Sequence, residues 1–163
     1  MTALVETPFN TMQEIEAIIE DERWDEAPFS VSNLAEECHE AAVKKVPELA
    51  AAVALLLADD ARLQKLNAEF RHKNQPTNVL SFPSGGRAPA LLGDIALAFE
   101  TCAKESEVAG LPLRDHTAHL IVHGLLHLVG YDHQTEEDAG VMEPLETEIL
   151  AQMGIADPYG VSS

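Results

Sequence analysis

Apolar positions along the chain change period several times, and each change predicts an element. From Glu14 the run Glu-Ile-Glu-Ala-Ile-Ile-Glu alternates polar with apolar residues and predicts a first strand at about 15–20. Trp24, Pro28 and Phe29-Ser30 read as a loop. Ser32 or Asn33 can then cap a helix whose Leu34, Cys38, Ala41, Ala42 and Val46 approximate one stripe, ended by Pro47. The segment Leu49–Ala58 is nearly all apolar; its short length and the bounding Pro47 and Asp59-Asp60 favour a buried strand over a helix. Asp59 or Asp60 caps the next helix, in which Leu63, Leu66, Asn67 and Phe70 fall on one face. A polar loop from Arg71 to Thr77 leads into a strand over Asn78–Phe82, stopped by Pro83. Ser84–Pro89 is a flexible connection, and Leu91–Leu97 a further strand interrupted at Gly93-Asp94.

The C-terminal half turns helical. Glu100–Val108 predicts a short helix ending at Gly110 and Pro112, after which Asp115 can cap a longer one from about His116 to Leu128. That longer helix is apolar on most sides, and such a helix is buried at the centre of its domain. Thr135 with Asp138 starts a last helix carrying Val141, Met142, Leu145 and Ile149 on one stripe, with Pro144 either in its first turn or kinking it. No repeat or linker divides the chain, so residues 1–163 are expected to form one domain with loosely held ends at about 1–13 and 155–163.

Composition narrows the class. A chain of 163 residues that is 46% hydrophobic can bury a core. No stretch of about 18 uninterrupted apolar residues occurs and the N-terminus lacks a secretory signal, so the expectation is a cytoplasmic protein without a membrane span. Cys38 and Cys102 lie far apart and outside any Cys-x-x-Cys spacing, which argues against a disulfide framework and for reduced, partly buried thiols. The formal net charge of −18 would repel phosphate, yet Arg62, Lys65, Arg71, Lys73 and Arg87 place five of the ten basic residues in a segment whose one acidic residue is Glu69. A local basic surface on an acidic body is compatible with a nucleic-acid substrate.

The chemistry concentrates in His123-Gly-Leu-Leu-His127-Leu-Val-Gly130-Tyr-Asp132-His133, which holds three of the seven histidines. Residues four apart share a helix face, so His123 and His127 can aim at one point. Gly130 ends the helix cheaply in the left-handed conformation, and the returning chain brings His133 as a third ligand. Three imidazoles with an open fourth position is the pattern of a catalytic zinc. The zinc endopeptidase motif has the same spacing with a glutamate base beside its first histidine; here that position is Gly124, which disfavours peptide hydrolysis. His119 reads as a histidine supporting the ligands or as a proton-transfer or substrate contact, and His39 and His72 as solvent-facing. Asp132 could accept the second N–H of a ligand imidazole or simply shape a turn. Arg71 is either a helix C-terminal cation or a fork for phosphate.

Together with Leu66-Asn67-Ala-Glu-Phe-Arg71, Thr77-Asn78-Val-Leu-Ser-Phe82 and Leu92-Gly93-Asp94-Ile95, this string resembles the bacterial YbeY family over roughly residues 60–150. The resemblance implies an α/β fold: a small mixed four-stranded sheet and surrounding helices packed about a central buried helix that carries the metal site. It implies one Zn²⁺ per chain on His123, His127 and His133 and makes Arg71 the functional arginine of the substrate cleft. Arg71 and His123 are then the candidate catalytic residues, and Lys73 of the basic segment is expected to meet the substrate beside Arg71. The activity implied is single-strand-specific endoribonuclease action in maturation of the 16S rRNA 3′ end and in ribosome quality control, with rRNA and the small ribosomal subunit as partners. Metal-activated water and the RNA 2′-OH are both candidate nucleophiles. Hydrolysis of a small molecule or peptide, or ribosome assembly around a structural zinc, are the alternatives. Asn78 departs from the family's usual aspartate, and Pro144 is unexpected in the last helix.

Overall fold

The computed structural model describes residues 15–75, 77–84 and 91–159. Among them β1 (Ile15–Ile19), β2 (Ala52–Ala58), β3 (Val79–Pro83) and β4 (Leu91–Ala98) form one sheet in the order β1-β2-β4-β3. Strands β1, β2 and β4 run parallel, and β3 is an antiparallel edge strand, so the sheet is mixed as the family pattern implies. Parallel neighbours need a crossover. Helix α1 (Val31–Lys45) joins β1 to β2, and α2 (Asp60–Arg71) followed by β3 leads from β2 to β4. Helices α3 (Phe99–Ala109), α4 (Leu113–Leu128) and α5 (Glu136–Gln152) complete the fold.

Capping chemistry moves several expected boundaries. Ser30, not Ser32 or Asn33, caps α1, its Oγ accepting the Asn33 N–H at 3.2 Å. Asp59 caps α2 and Thr135 caps α5 as anticipated. Helix α4 begins earlier than expected, behind Pro112, which leaves Asp115 inside the first turn, where its charge complements the helix dipole. Pro47–Leu49 forms a 3₁₀ turn, so β2 pairs only from Ala52. Strand β4 is continuous through Gly93, but its pairing with β2 shifts there, from Ala52–Leu91 to Val53–Gly93, which leaves Leu92 as an extra residue. Gly93 has φ +154°, and a Cβ there would lie 2.3 Å from the Phe82 carbonyl oxygen, so glycine permits the close approach of β3.

The two sheet faces are covered unequally. On one, Val53, Leu55, Leu57, Ile95 and Leu97 pack against α1, α4 and α5 in the main core. On the other, Ala58, Leu80, Ala96 and Ala98 meet Leu63 of α2 in a smaller cluster. Helix α4 is the buried central element: Ala118, Leu120, Ile121, Val122, Leu125 and Leu126 are all in the core. It lies close on the sheet at Gly124, where a Cβ would be 3.0 Å from Ile95 Cγ2 and 3.2 Å from Ser81 Oγ. Ser81 Oγ donates to the Gly124 carbonyl at 3.1 Å. The residue that takes the place of a peptidase base therefore also has a packing reason to be glycine.

Helix α5 departs most from expectation. Pro144 sits inside an unbroken helix on its solvent side, where water can take the carbonyl of Gly140 that the proline ring cannot serve. Val141 is exposed; the buried stripe is Met142, Glu146, Ile149 and Leu150. Nor are residues 155–159 loose, since Ile155 is buried and the Tyr159 hydroxyl bonds to Glu146. The remaining end residues, 1–13 and 160–163, and Arg87 lie outside the described residues. Cys38 and Cys102 are free and fully buried, and burial pushes both thiols up. His39, expected to face solvent, is buried with Nε2 2.7 Å from the Leu49 carbonyl; exposed His72 ends α2 in the left-handed conformation.

Candidate metal centre

The four-residue spacing on α4 places Nε2 of His123 and Nε2 of His127 3.0 Å apart. Beyond Leu128 the chain turns at Gly130, φ +101°, and brings His133 back, its ring centroid 4.8 Å from that of His123 and 5.2 Å from that of His127. One ring nitrogen from each of the three lies within 4.8 Å of the others.

The outer nitrogens decide what the inner ones are. His127 Nδ1 donates to the Tyr131 carbonyl at 2.8 Å, and a carbonyl can only accept. His123 Nδ1 donates to the Glu146 carboxylate in a short hydrogen bond. Both protons are thus on Nδ1, and in neutral rings both Nε2 atoms carry bare lone pairs that face each other. Burial and the nearby His123 lower the His127 pKa, favouring that neutral form. Two lone pairs at such a distance repel unless a cation lies between them. Two nitrogens each about 2.0–2.1 Å from one tetrahedral zinc would themselves be separated by roughly 3.3 Å. The residues fit a metal ion. Among the described residues the group comprises these three histidines, with no fourth His, Cys, Asp or Glu joining it.

Glu146 was invisible to the sequence reading. It is 0% exposed and accepts from His123, from the Tyr159 hydroxyl at 2.5 Å, and lies 3.4 Å from His119 Nε2. Burial alone would raise its pKa, but the hydrogen bonds from His119, His123 and Tyr159 outweigh that and hold it at about 2. Partial burial and the carboxylate push the Tyr159 phenol up, so it stays a donor. The usable signal was a carboxylate at a core position of the α5 stripe, between Met142 and Ile149. Buried carboxylates are seldom left unpaired. His119, 3.2 Å from the Tyr159 oxygen, belongs to this supporting network. Asp132 takes the turn role, accepting the His133 backbone N–H at 2.7 Å.

The three histidines open into a cleft of about 750 Å³ whose walls include Arg71, Asn78, Ser81, His116, His119, Tyr131 and Tyr159. Arg71, at the end of α2, reaches over the edge strand, donating to the Ser81 carbonyl and lying 5.4 Å from the Phe82 ring centroid. Lys73 is exposed and not part of the wall, and Arg62 turns to Glu20 at 3.3 Å. Of the basic segment, the structure brings Arg71 alone of its described members into the cleft.

Asn78 donates to Glu105 at 3.0 Å, and Glu105 also meets His116 Nε2 at 2.8 Å. An aspartate at 78 would oppose Glu105, so Asn78→Asp is expected to lower stability by about 0.5–1 kcal/mol at neutral pH and low salt. Pairing it with Glu105→Gln should restore most of the loss, as read from denaturant midpoints. An unaltered midpoint for the single variant would show that Glu105 does not constrain this position.

The family model described as Endoribonuclease YbeY matches residues 18–154. The chain belongs to the YbeY family. Proteins named Endoribonuclease YbeY are similar along most of its length: that of Ruegeria pomeroyi is 47% identical, covering 89% of this chain and 97% of the relative. That of Maricaulis maris is 45% identical over 91% of this chain and 92% of its own length, and that of Jannaschia sp. is 55% identical over 66% and 76%. A solution structure of a Thermotoga maritima protein shares the fold at TM-score 0.55 and 21% identity, covering 90% of this chain and 99% of that one.

Proposed function

We propose that this YbeY-family chain is a zinc-dependent endoribonuclease acting on single-stranded RNA, with His123, His127 and His133 as the metal ligands. The observation that carries the reading is the pair of facing imidazole lone pairs at 3.0 Å, opening into the same cleft as Arg71. A zinc ion there would supply a Lewis acid for a phosphate oxygen and a bound water of lowered pKa. Glu146 fixes the tautomer and ring orientation of His123, and the Tyr131 carbonyl does the same for His127. Arg71 would pair with the phosphate and stabilise charge that grows during cleavage, while Lys73 meets the strand outside the wall.

An open cleft with an arginine that pairs with no carboxylate among the described residues suits a phosphodiester chain better than a small apolar substrate, and three protein ligands favour a catalytic over a structural zinc. The family resemblance extends the proposal to rRNA, at the 16S 3′ end, and to the small ribosomal subunit in the cytoplasm. No helix among the described residues is long and apolar enough to cross a membrane.

Cleavage of an end-labelled single-stranded RNA by rigorously purified protein tests the reading. Arg71→Ala is expected to lower kcat/KM by about 10²-fold, and Arg71→Lys to recover only part, because the ammonium keeps the charge but not the fork. Full activity in Arg71→Ala would remove the arginine from the mechanism.

A further inference from the structure

A second cavity, of about 780 Å³, lies on the far side of β3 from the metal. It occupies the part of the sheet's second face that α2 leaves open. Side chains on an edge strand alternate, so Ser81 points to Gly124 of α4, while Phe82 points the other way and lines this groove. Phe82, Asp94 and Ala54 stand in register across the floor, with Leu56 and Ile18 in the next row. Phe70 forms the rim, 5.6 Å from Phe82 in an edge-to-face pair and 62% exposed, although it is a large apolar side chain on an acidic protein.

The groove is not separate from the metal cleft. Arg71 and Pro83 line both cavities, so a chain passing over the β3 edge at Arg71 leaves one and enters the other. We propose that the groove is a stacking subsite for an unpaired base of the RNA strand whose phosphate meets Arg71. This rests on reading the metal cleft as an RNA-cleaving site. The chemistry suits a base and not a phosphate: the lining is mostly apolar, and its charged groups are Arg71 at the junction and the Asp94 carboxylate on the floor. Asp94 repels phosphate and can accept from an exocyclic amino group. Phe70 offers an exposed π-face, on which any base can stack without sequence preference. A paired base in a duplex is held within its own stack and cannot enter, so the subsite supplies a physical cause for single-strand preference.

Kinetics and fluorescence test this together. Phe70 is exposed, so Phe70→Ala should fold; its KM for single-stranded RNA is expected to rise on the order of tenfold with kcat within about twofold of wild type. Phe70→Leu, which keeps apolar area but no ring, should resemble it. On an RNA carrying abasic nucleotides beside the cleavage site, wild type should already show the raised KM and Phe70→Ala should add nothing. In Phe70→Trp, the new indole should be quenched when the single-stranded RNA is added in EDTA, against a constant background from buried Trp24. An unchanged KM in Phe70→Ala, the expected result if the patch receives another protein, overturns the proposal, as does an equal KM increase on abasic RNA. If wild type cleaves no RNA while the fluorescence of Phe70→Trp is still quenched, the cleavage reading falls and the stacking site stands.

Discussion

Replacing His127 by alanine is expected to reduce RNA cleavage by about 10³-fold or more and to empty the metal site. The two effects share one cause. With His127 gone, His123 and His133 are left as two ligands, too few for a tetrahedral zinc, and the facing lone pair that makes the site unfavourable without a cation is also gone. Elemental analysis after dialysis should find one zinc per wild-type chain and almost none in His127→Ala. Thermal melting gives an independent reading: a ligand at 100 times its Kd stabilises by about 2.7 kcal/mol, so chelation should lower the wild-type midpoint and leave the variant's unmoved. A variant that keeps its zinc and cleaves like wild type would overturn the three-histidine site. A variant that loses zinc yet cleaves like wild type would overturn the metal dependence.

Glu146→Ala should be nearly as damaging, though the residue is behind the site. Removing the carboxylate leaves the His123 Nδ1–H and the Tyr159 hydroxyl without their buried acceptor, at a cost of about 2–4 kcal/mol of folding stability. It also frees the His123 ring and its tautomer, and losing such a partner typically weakens metal binding by about 10–100-fold. Zinc competition against a chromophoric chelator measures that directly. Glu146→Gln separates the contributions: its amide oxygen can still accept from His123, so most of the stability should return, while the loss of charge leaves the imidazole a weaker ligand. Zinc affinity equal to wild type in both variants would reduce Glu146 to a structural role.

Much of this was legible beforehand because it is local. Alternation in β1, the apolar run of β2 and the stripe of α2 depend on neighbouring residues, as do the caps at Asp59 and Thr135. Errors came where neighbours compete. Ser30, Ser32 and Asn33 could all cap α1, and only the path out of the preceding turn selects Ser30. On α5 Val141 fitted the apolar stripe as well as Leu145 does, but the face is set by what α1 and α4 present to it, which leaves Val141 outside and Glu146 in the core.

The same division runs through the site. The three-imidazole cluster was determined by the sequence alone, because a four-residue helical spacing and a glycine-ended turn bring His123, His127 and His133 together through the path of one continuous segment. Only the tertiary structure decided the rest. Glu146 reaches His123 from another helix and Tyr159 reaches Glu146 from the segment beyond it, Arg71 enters the cleft by crossing an edge strand, and the Phe70–Phe82 groove exists because α2 leaves part of a sheet face bare. Such contacts depend on how elements distant in sequence pack, and no spacing along the chain encodes that distance.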